Sequence, residues 1–279
     1  MSGIFTDTEM NEQYQQDDDF NQQEELVSDQ DMMDEQNESE QDFRDEFTEV
    51  TSPNRLYTKL FSYSSLSISI FFLLLLSVDN SLEVVAYGDP TLGFIPVPLT
   101  QANLKLQRPY DIPLDQRYSY EHGIHRLWVY ADDKPHEPTS HTQPRTEIRI
   151  SGLDYNSGVW QFEGYGFVPN GTSGATIAQI HGAAHGATTL ILRIYNSGEM
   201  RYYSRDLVAK NLYDKWFRLN IIHDVDGGTV SVFTDGKKKF HTKDKGPGDL
   251  YFKCGVYAAP ANISYYMESR WRDIKIYRL

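Results

Sequence analysis

The 279-residue chain carries 40 acidic against 26 basic residues, a formal net charge of −14, but that charge is unevenly spread. Residues 1–50 hold 18 Asp and Glu against one Arg, whereas 87–279 hold 20 acidic and 23 basic residues, so the overall acidity does not exclude polyanionic ligands for the C-terminal two thirds. A single cysteine, Cys254, excludes an intrachain disulfide and leaves the redox compartment undetermined.

Residues 1–58, rich in Gln, Asn and Ser besides their acids, are predicted to be a disordered acidic tail. Residues 59–86 read as a signal peptide or signal anchor. Their apolar centre, 61–78, contains the run Ile70-Phe71-Phe72-Leu73-Leu74-Leu75-Leu76, with Arg55 and Lys59 ahead and Val84-Val85-Ala86 behind. Two readings stand side by side: a cleavable signal behind an N-terminal extension, or a type II membrane anchor with an acidic cytoplasmic arm. Eighteen residues, several of them serine, are short for a bilayer span. Either reading places 87–279 in the secretory pathway, as an extracellular, cell-wall or vacuolar domain or as the lumenal or extracellular part of a membrane protein. Asn170-Gly171-Thr172 and Asn262-Ile263-Ser264 would be glycosylation acceptors there.

Tyr87 to Pro98 reads as an extended, proline-punctuated lead-in. Beyond it, short alternating runs and turn dipeptides dominate, with no sustained helical period, so 87–279 is predicted to be all-β. Thr189 to Tyr195 and Glu199 to Tyr203 form one predicted hairpin around Asn196-Ser197-Gly198. Thr229 to Thr234 and Lys237 to His241 form another around Asp235-Gly236, a dipeptide suited to the positive backbone angles of a tight turn. Trp216 to His223 and Arg270 to Tyr277 add two strands. Many strands at spacings of about ten residues, without a repeat, suggest a two-sheet jelly-roll β-sandwich.

Three stretches carry candidate chemistry. In Arg145-Thr146-Glu147-Ile148-Arg149-Ile150 the period of two puts Arg145, Glu147 and Arg149 on one face of a strand and Thr146, Ile148 and Ile150 on the other. By the same parity Gln179 and His181 share a face in Gln179-Ile180-His181. In Tyr251-Phe252-Lys253-Cys254-Gly255-Val256-Tyr257, Tyr251, Lys253, Gly255 and Tyr257 share one. A charged strand face is most simply a solvated outer face, and a lone histidine is most simply structural. The set as a whole, an imidazole base, a phenol, an amide and several cations, suits removal of a proton beside a carboxylate and expulsion of a leaving group.

These stretches resemble the signature motifs of the alginate lyase 2 family, polysaccharide lyase family 7: Arg-(Ser/Thr)-Glu-(Leu/Ile/Met)-Arg, Gln-(Ile/Val)-His and Tyr-Phe-Lys-x-Gly-x-Tyr. From about 90 to 279 the chain is also similar to the plant citrate-binding protein branch, in Asp89-Pro90-Thr91-Leu92-Gly93-Phe94, Leu127-Trp128-Val129-Tyr130, Gly158 to Gly166 and Tyr265 to Arg270. The resemblance implies metal-free β-elimination on a uronate. A C5 proton is acidic only when the adjacent carboxylate is neutralised by charge-assisted hydrogen bonds. Arg145 and Gln179 would hold that carboxylate. His181 would take the proton, and Tyr257 would protonate the O4 leaving group or, for one epimer, also act as base. Lys253 and Arg149 would bind neighbouring uronates, and Glu147 would orient the arginines. No cofactor and no metal are implied, and the protein is expected to be a monomer.

One position departs from the lyase pattern: where the family commonly continues Tyr-x-Gln, this chain has Ala259, which removes an amide from substrate positioning. Its retention of His181, which the citrate-binding branch can lack, favours chemistry. The rival is a non-catalytic protein that binds citrate or an acidic glycan in the same basic groove. Three other classes fit less well. A glycoside hydrolase would need Glu147 and Glu163 to face one bond, and a zinc site from His181 and His185 lacks both a helix and a third ligand. Nucleic-acid binding lacks a dense basic patch. His223 and the tryptophans Trp128, Trp160, Trp216 and Trp271 read as core or strand-end residues.

Overall fold

The computed structural model describes residues 88–184 and 187–279. The predicted acidic tail, the predicted signal segment and His185 lie outside the described residues, and no helix among those described is long and apolar enough to cross a membrane.

Among the described residues, fifteen strands account for nearly all the regular structure. Eight of them, β1 (Ile95–Val97), β3 (Tyr118–Glu121), β4 (Ile124–Tyr130), β6 (Val159–Phe167), β11 (Trp216–Asp224), β12 (Thr229–Thr234), β13 (Lys237–Lys243) and β15 (Tyr266–Arg278), form the first sheet in the order β13-β12-β11-β6-β15-β4-β3, with β1 also on β15. The second sheet takes β2 (Leu104–Gln107), β5 (Arg145–Ile150), β7 (Ala175–His181), β8 (Leu190–Tyr195), β9 (Glu199–Tyr202), β10 (Asp206–Ala209) and β14 (Tyr251–Ala258), in the order β10-β9-β8-β7-β14-β5-β2. The result is the expected two-sheet sandwich. Seven of the thirteen pairings join strands that are not consecutive in the chain, so much of the pairing is long-range.

Both predicted hairpins are present, as β8 with β9 and β12 with β13. Asp235 and Gly236 both have positive φ, 50° and 75°, which matches the right-handed strand twist across a two-residue turn. The lead-in docks through β1 onto the end of β15, where Asp89 also pairs with Arg218 at 2.5 Å.

The core lies where the inner faces meet. Phe162, Phe217, Leu219 and Trp271 of the first sheet pack with Ile148, Ile177, Ile180, Phe252 and Cys254 of the second. Cys254 is thus a small core residue, and burial pushes its thiol well above the usual range. His223 is fully buried between the Tyr155 hydroxyl (3.0 Å) and Asp244 (3.2 Å), as a structural histidine should be. Trp271 is core and Trp216 opens a strand, but Trp128 sits mid-strand, half-buried on the outer face of the first sheet.

A second structural histidine makes stability depend on pH. His125 is 6% exposed, meets the Tyr118 hydroxyl at 2.9 Å, and burial pulls its imidazole down to about 4. The unfolded chain takes up that proton below about pH 6.5, the folded domain only near 4. The contribution of neutral His125 is therefore complete above 6.5 and is lost as the pH falls through that window, on the order of 3 kcal/mol in all. Urea midpoints measured from pH 7 down to 4 should fall, and His125→Gln should flatten the slope; parallel slopes would assign the proton uptake to other groups.

Candidate functional site

The outer face of the second sheet gathers all seven candidate residues. β14 is the middle strand: Lys253 stands opposite Arg149 of β5 on one side and Gln179 of β7 on the other, Tyr257 opposite Arg145, and Tyr251 opposite His181. The core faces of the same strands carry Ile148, Cys254 and Ile180, so the parity read from the sequence holds for all three motifs.

A solvated face is not what results. Arg145, Glu147, Gln179, His181, Lys253 and Tyr257 are each 5% exposed or less, and Arg149 is 8% exposed. Charges removed from water in this way persist only when paired. Glu147 supplies much of the pairing: its carboxylate lies 3.0 Å from Lys253 Nζ and 3.7 Å from Arg145 Nη1, and it accepts a hydrogen bond of 2.5 Å from the Gln179 amide. Arg145 also stacks over the Tyr257 ring at 4.1 Å.

Arg149 is held differently from the expectation that Glu147 orients both arginines. Its guanidinium grips Asp154 in a two-pronged pair of 2.5 and 3.2 Å and stacks over Tyr251 at 3.8 Å. Asp154 lies in the loop after β5, a position with no motif to mark it.

Tyr251 has a further role. Its hydroxyl meets His181 Nδ1 at 3.0 Å and the two rings stack, with centroids 5.2 Å apart. This contact fixes which imidazole nitrogen faces the phenol and so which one is turned toward other chemistry. Tyr257 lies further along the same face of β14, opposite Arg145 and beyond a register shift between Cys254 and Tyr257. Tyr251→Phe should leave the fold intact and lower the rate of any reaction using His181 by about tenfold or more. An unchanged rate would make the contact packing only.

One feature was not legible as a motif. Register slips by one residue between Thr176 and Ala178, a bulge that sends Ile177 and Ala178 both to the core and turns Thr176 onto the polar face. There Thr176 accepts a 3.1 Å hydrogen bond from Nε of Arg193, a fully buried arginine on β8. A charge inside Leu190-Ile191-Leu192-Arg193-Ile194 was its one sequence signal. On β14, Gly255 has φ of 145°, and a Cβ there would lie 2.5 Å from the Thr146 carbonyl and 2.7 Å from Cα of Glu147. Glycine thus lets β14 approach β5 where the charges converge.

Around the motifs Arg145, Arg149, Arg193 and Lys253 outnumber the carboxylates Glu147 and Asp154; Lys105 stands opposite Arg149, Arg201 opposite Arg193 and paired with Glu199, and Asp249 interacts with Arg149. The face is therefore net positive and suited to an anionic ligand. The hydrolase pairing has no geometric basis: Glu163 lies on the outer face of the first sheet, bound by Arg218, Asn220, Lys275 and Tyr277, and the two sheets separate it from Glu147. Ala259 is buried, its amide donating to the Gly174 carbonyl at 2.7 Å.

Comparison with known proteins gives the family and supports the fold. A family model described as alginate lyase matches residues 97–278. A citrate-binding protein of Hevea brasiliensis is 56% identical over 191 residues, covering 68% of this chain and 80% of the relative. Among solved structures, alginate lyase AlgAT5 of polysaccharide lyase family 7 superposes with a TM-score of 0.51 at 16% identity, over 63% of this chain and 95% of its own. A double-cysteine variant of alginate lyase A1-II' gives 0.50 at 14% identity, over 64% and 95%. At those identities the structural matches speak for the fold.

Proposed function

Because the chain belongs to the alginate lyase family, we propose that it binds a uronate-containing acidic saccharide on the outer face of its second sheet and cleaves it by β-elimination. The observation that carries this reading is the excess of cations on a face that also holds an imidazole anchored at Nδ1 by Tyr251. Arg145 and Gln179 neutralise the uronate carboxylate, which lowers the cost of a carbanion at C5. His181 removes the C5 proton, and the electron pair left behind forms the C4–C5 double bond. O4 departs with its bonding pair and is protonated by Tyr257. Lys253 and Arg149 hold the uronates on either side. The product carries an unsaturated sugar at its new non-reducing end.

The second reading is binding of a polycarboxylate or acidic glycan without turnover. The citrate-binding relative favours it, as does Ala259 in place of the family's amide-bearing residue.

Incubation with a panel of polyuronates, followed by the ultraviolet absorbance of unsaturated uronate, tests the first reading. A rise with any polymer supports elimination and identifies the substrate. A flat trace across the panel, with citrate or oligouronate binding seen by calorimetry, leaves the binding reading in its place.

A further inference from the structure

The outer face of the first sheet carries a cleft of about 760 Å³ that the reaction above does not use, within the usual size of small-ligand sites. On β4, Arg126, Trp128 and Tyr130 alternate with the core residues Leu127 and Val129. Opposite them on β15 stand Arg270, Glu268 and Tyr266. The loops around Asn170 and Tyr265 wall the cleft.

Its chemistry differs from that of the charged face in two respects. The first is aromatic: the Tyr130 ring lies 5.4 Å from Tyr265 and 5.3 Å from Tyr266, tilted by 54° and 57°, so three rings make an angled wall. Tyr265 is 64% exposed, leaving much of its ring uncovered. The second is charge balance. Glu268, whose side chain is 2% exposed, accepts from Arg126 Nη2 at 2.7 Å, Arg270 Nε at 2.6 Å and the Tyr266 hydroxyl, while Tyr265 donates to Asp132 at 3.4 Å. Burial alone would raise the Glu268 carboxyl, but these three donors hold it below the usual carboxylate range. Arg126 and Arg270 are thus offset by Glu268 and Asp132.

We propose that this cleft is a second saccharide site, one that takes the pyranose units of a neutral glycan and lies on the opposite layer from the anion-binding face. A pyranose ring presents a C–H face that packs on an aromatic ring and a rim of hydroxyls that need hydrogen-bond partners. Tyr265 supplies the first requirement, and the half-exposed guanidinium of Arg126, itself stacked over Trp128 at 4.9 Å, supplies donors for the second. The balanced charge gives no preference for uronates. The site is independent of the elimination chemistry and goes beyond it: one layer would grip a neutral polymer while the other engages an acidic one.

The test is affinity electrophoresis of the full chain, made in a bacterial host so that Asn170 carries no glycan of its own, through gels containing soluble β-glucan, xyloglucan, galactomannan or polyuronate. Retardation by at least one neutral glycan is expected. Tyr265→Ala should weaken it about tenfold or more and leave polyuronate retardation unchanged. Tyr265 is largely exposed, so the variant should fold; Trp128→Phe, which keeps a ring, should give a smaller loss. Free migration through every neutral glycan, or retardation indifferent to Tyr265→Ala, overturns the proposal. Loss of polyuronate retardation alone would count against the function proposed for the second sheet and leave this site standing.

Discussion

His181→Ala should lower the rate of unsaturated-product formation by about 10²–10⁴-fold, the usual worth of a positioned general base, with little change in KM. The cations that would hold the substrate, Arg145, Arg149 and Lys253, keep their partners Glu147 and Asp154 without the imidazole. Binding and turnover should therefore separate in this variant. Tyr257→Phe is the matching probe of the acid. It keeps the ring on which Arg145 stacks at 4.1 Å and removes only the hydroxyl, so a comparable fall in kcat would assign protonation of O4 to that atom. Should either variant instead raise KM with kcat intact, the residue binds and does not react, and the elimination scheme loses its base or its acid. Combined in one chain, the two changes should cost less than the product of their single effects, because groups that act on one linkage are not independent.

Glu147→Ala should destabilise the domain by about 3–5 kcal/mol, since removing one member of a buried ion pair leaves its partners uncompensated. Glu147 is fully buried, with Lys253 Nζ at 3.0 Å, the Gln179 amide at 2.5 Å and Arg145 at 3.7 Å, and it stands opposite Gly255, where a Cβ would strike the β5 backbone. Glu147→Gln keeps the shape and one acceptor but not the charge, and should lie between wild type and alanine. Urea unfolding at neutral pH reads both. A loss below about 1 kcal/mol for Glu147→Ala would match the small worth of a solvated surface pair and would mean that water, not Glu147, balances Lys253 and Arg145.

Much of the site was legible because its logic is local. In Arg145 to Ile150 the period of two alone separates the charged face from Ile148 and Ile150 in the core, and the same parity sorts Lys253 from Cys254 and His181 from Ile180. The hairpin at Asp235-Gly236 was likewise marked by the backbone angles its turn requires. What escaped was set by partners far away in the chain. Arg193 looked like one charge in an apolar hairpin strand until β8 was laid against β7 and its Nε met Thr176. Thr176 meets it across a bulge, which adds a residue that strand parity does not count.

The sequence by itself determined the all-β class, the sheet faces of the three motifs and the family, since side-chain alternation and motif spacing are properties of a few neighbouring residues. Only the tertiary structure decided that β14 runs between β5 and β7, that Glu147 answers to Lys253 and Arg145 while Asp154 takes Arg149, and that Tyr251 is the phenol on His181. Strand order and register are chosen by the joint burial of both sheets' inner faces, a sum over contacts distant in the chain. A charged residue's partner follows from that choice.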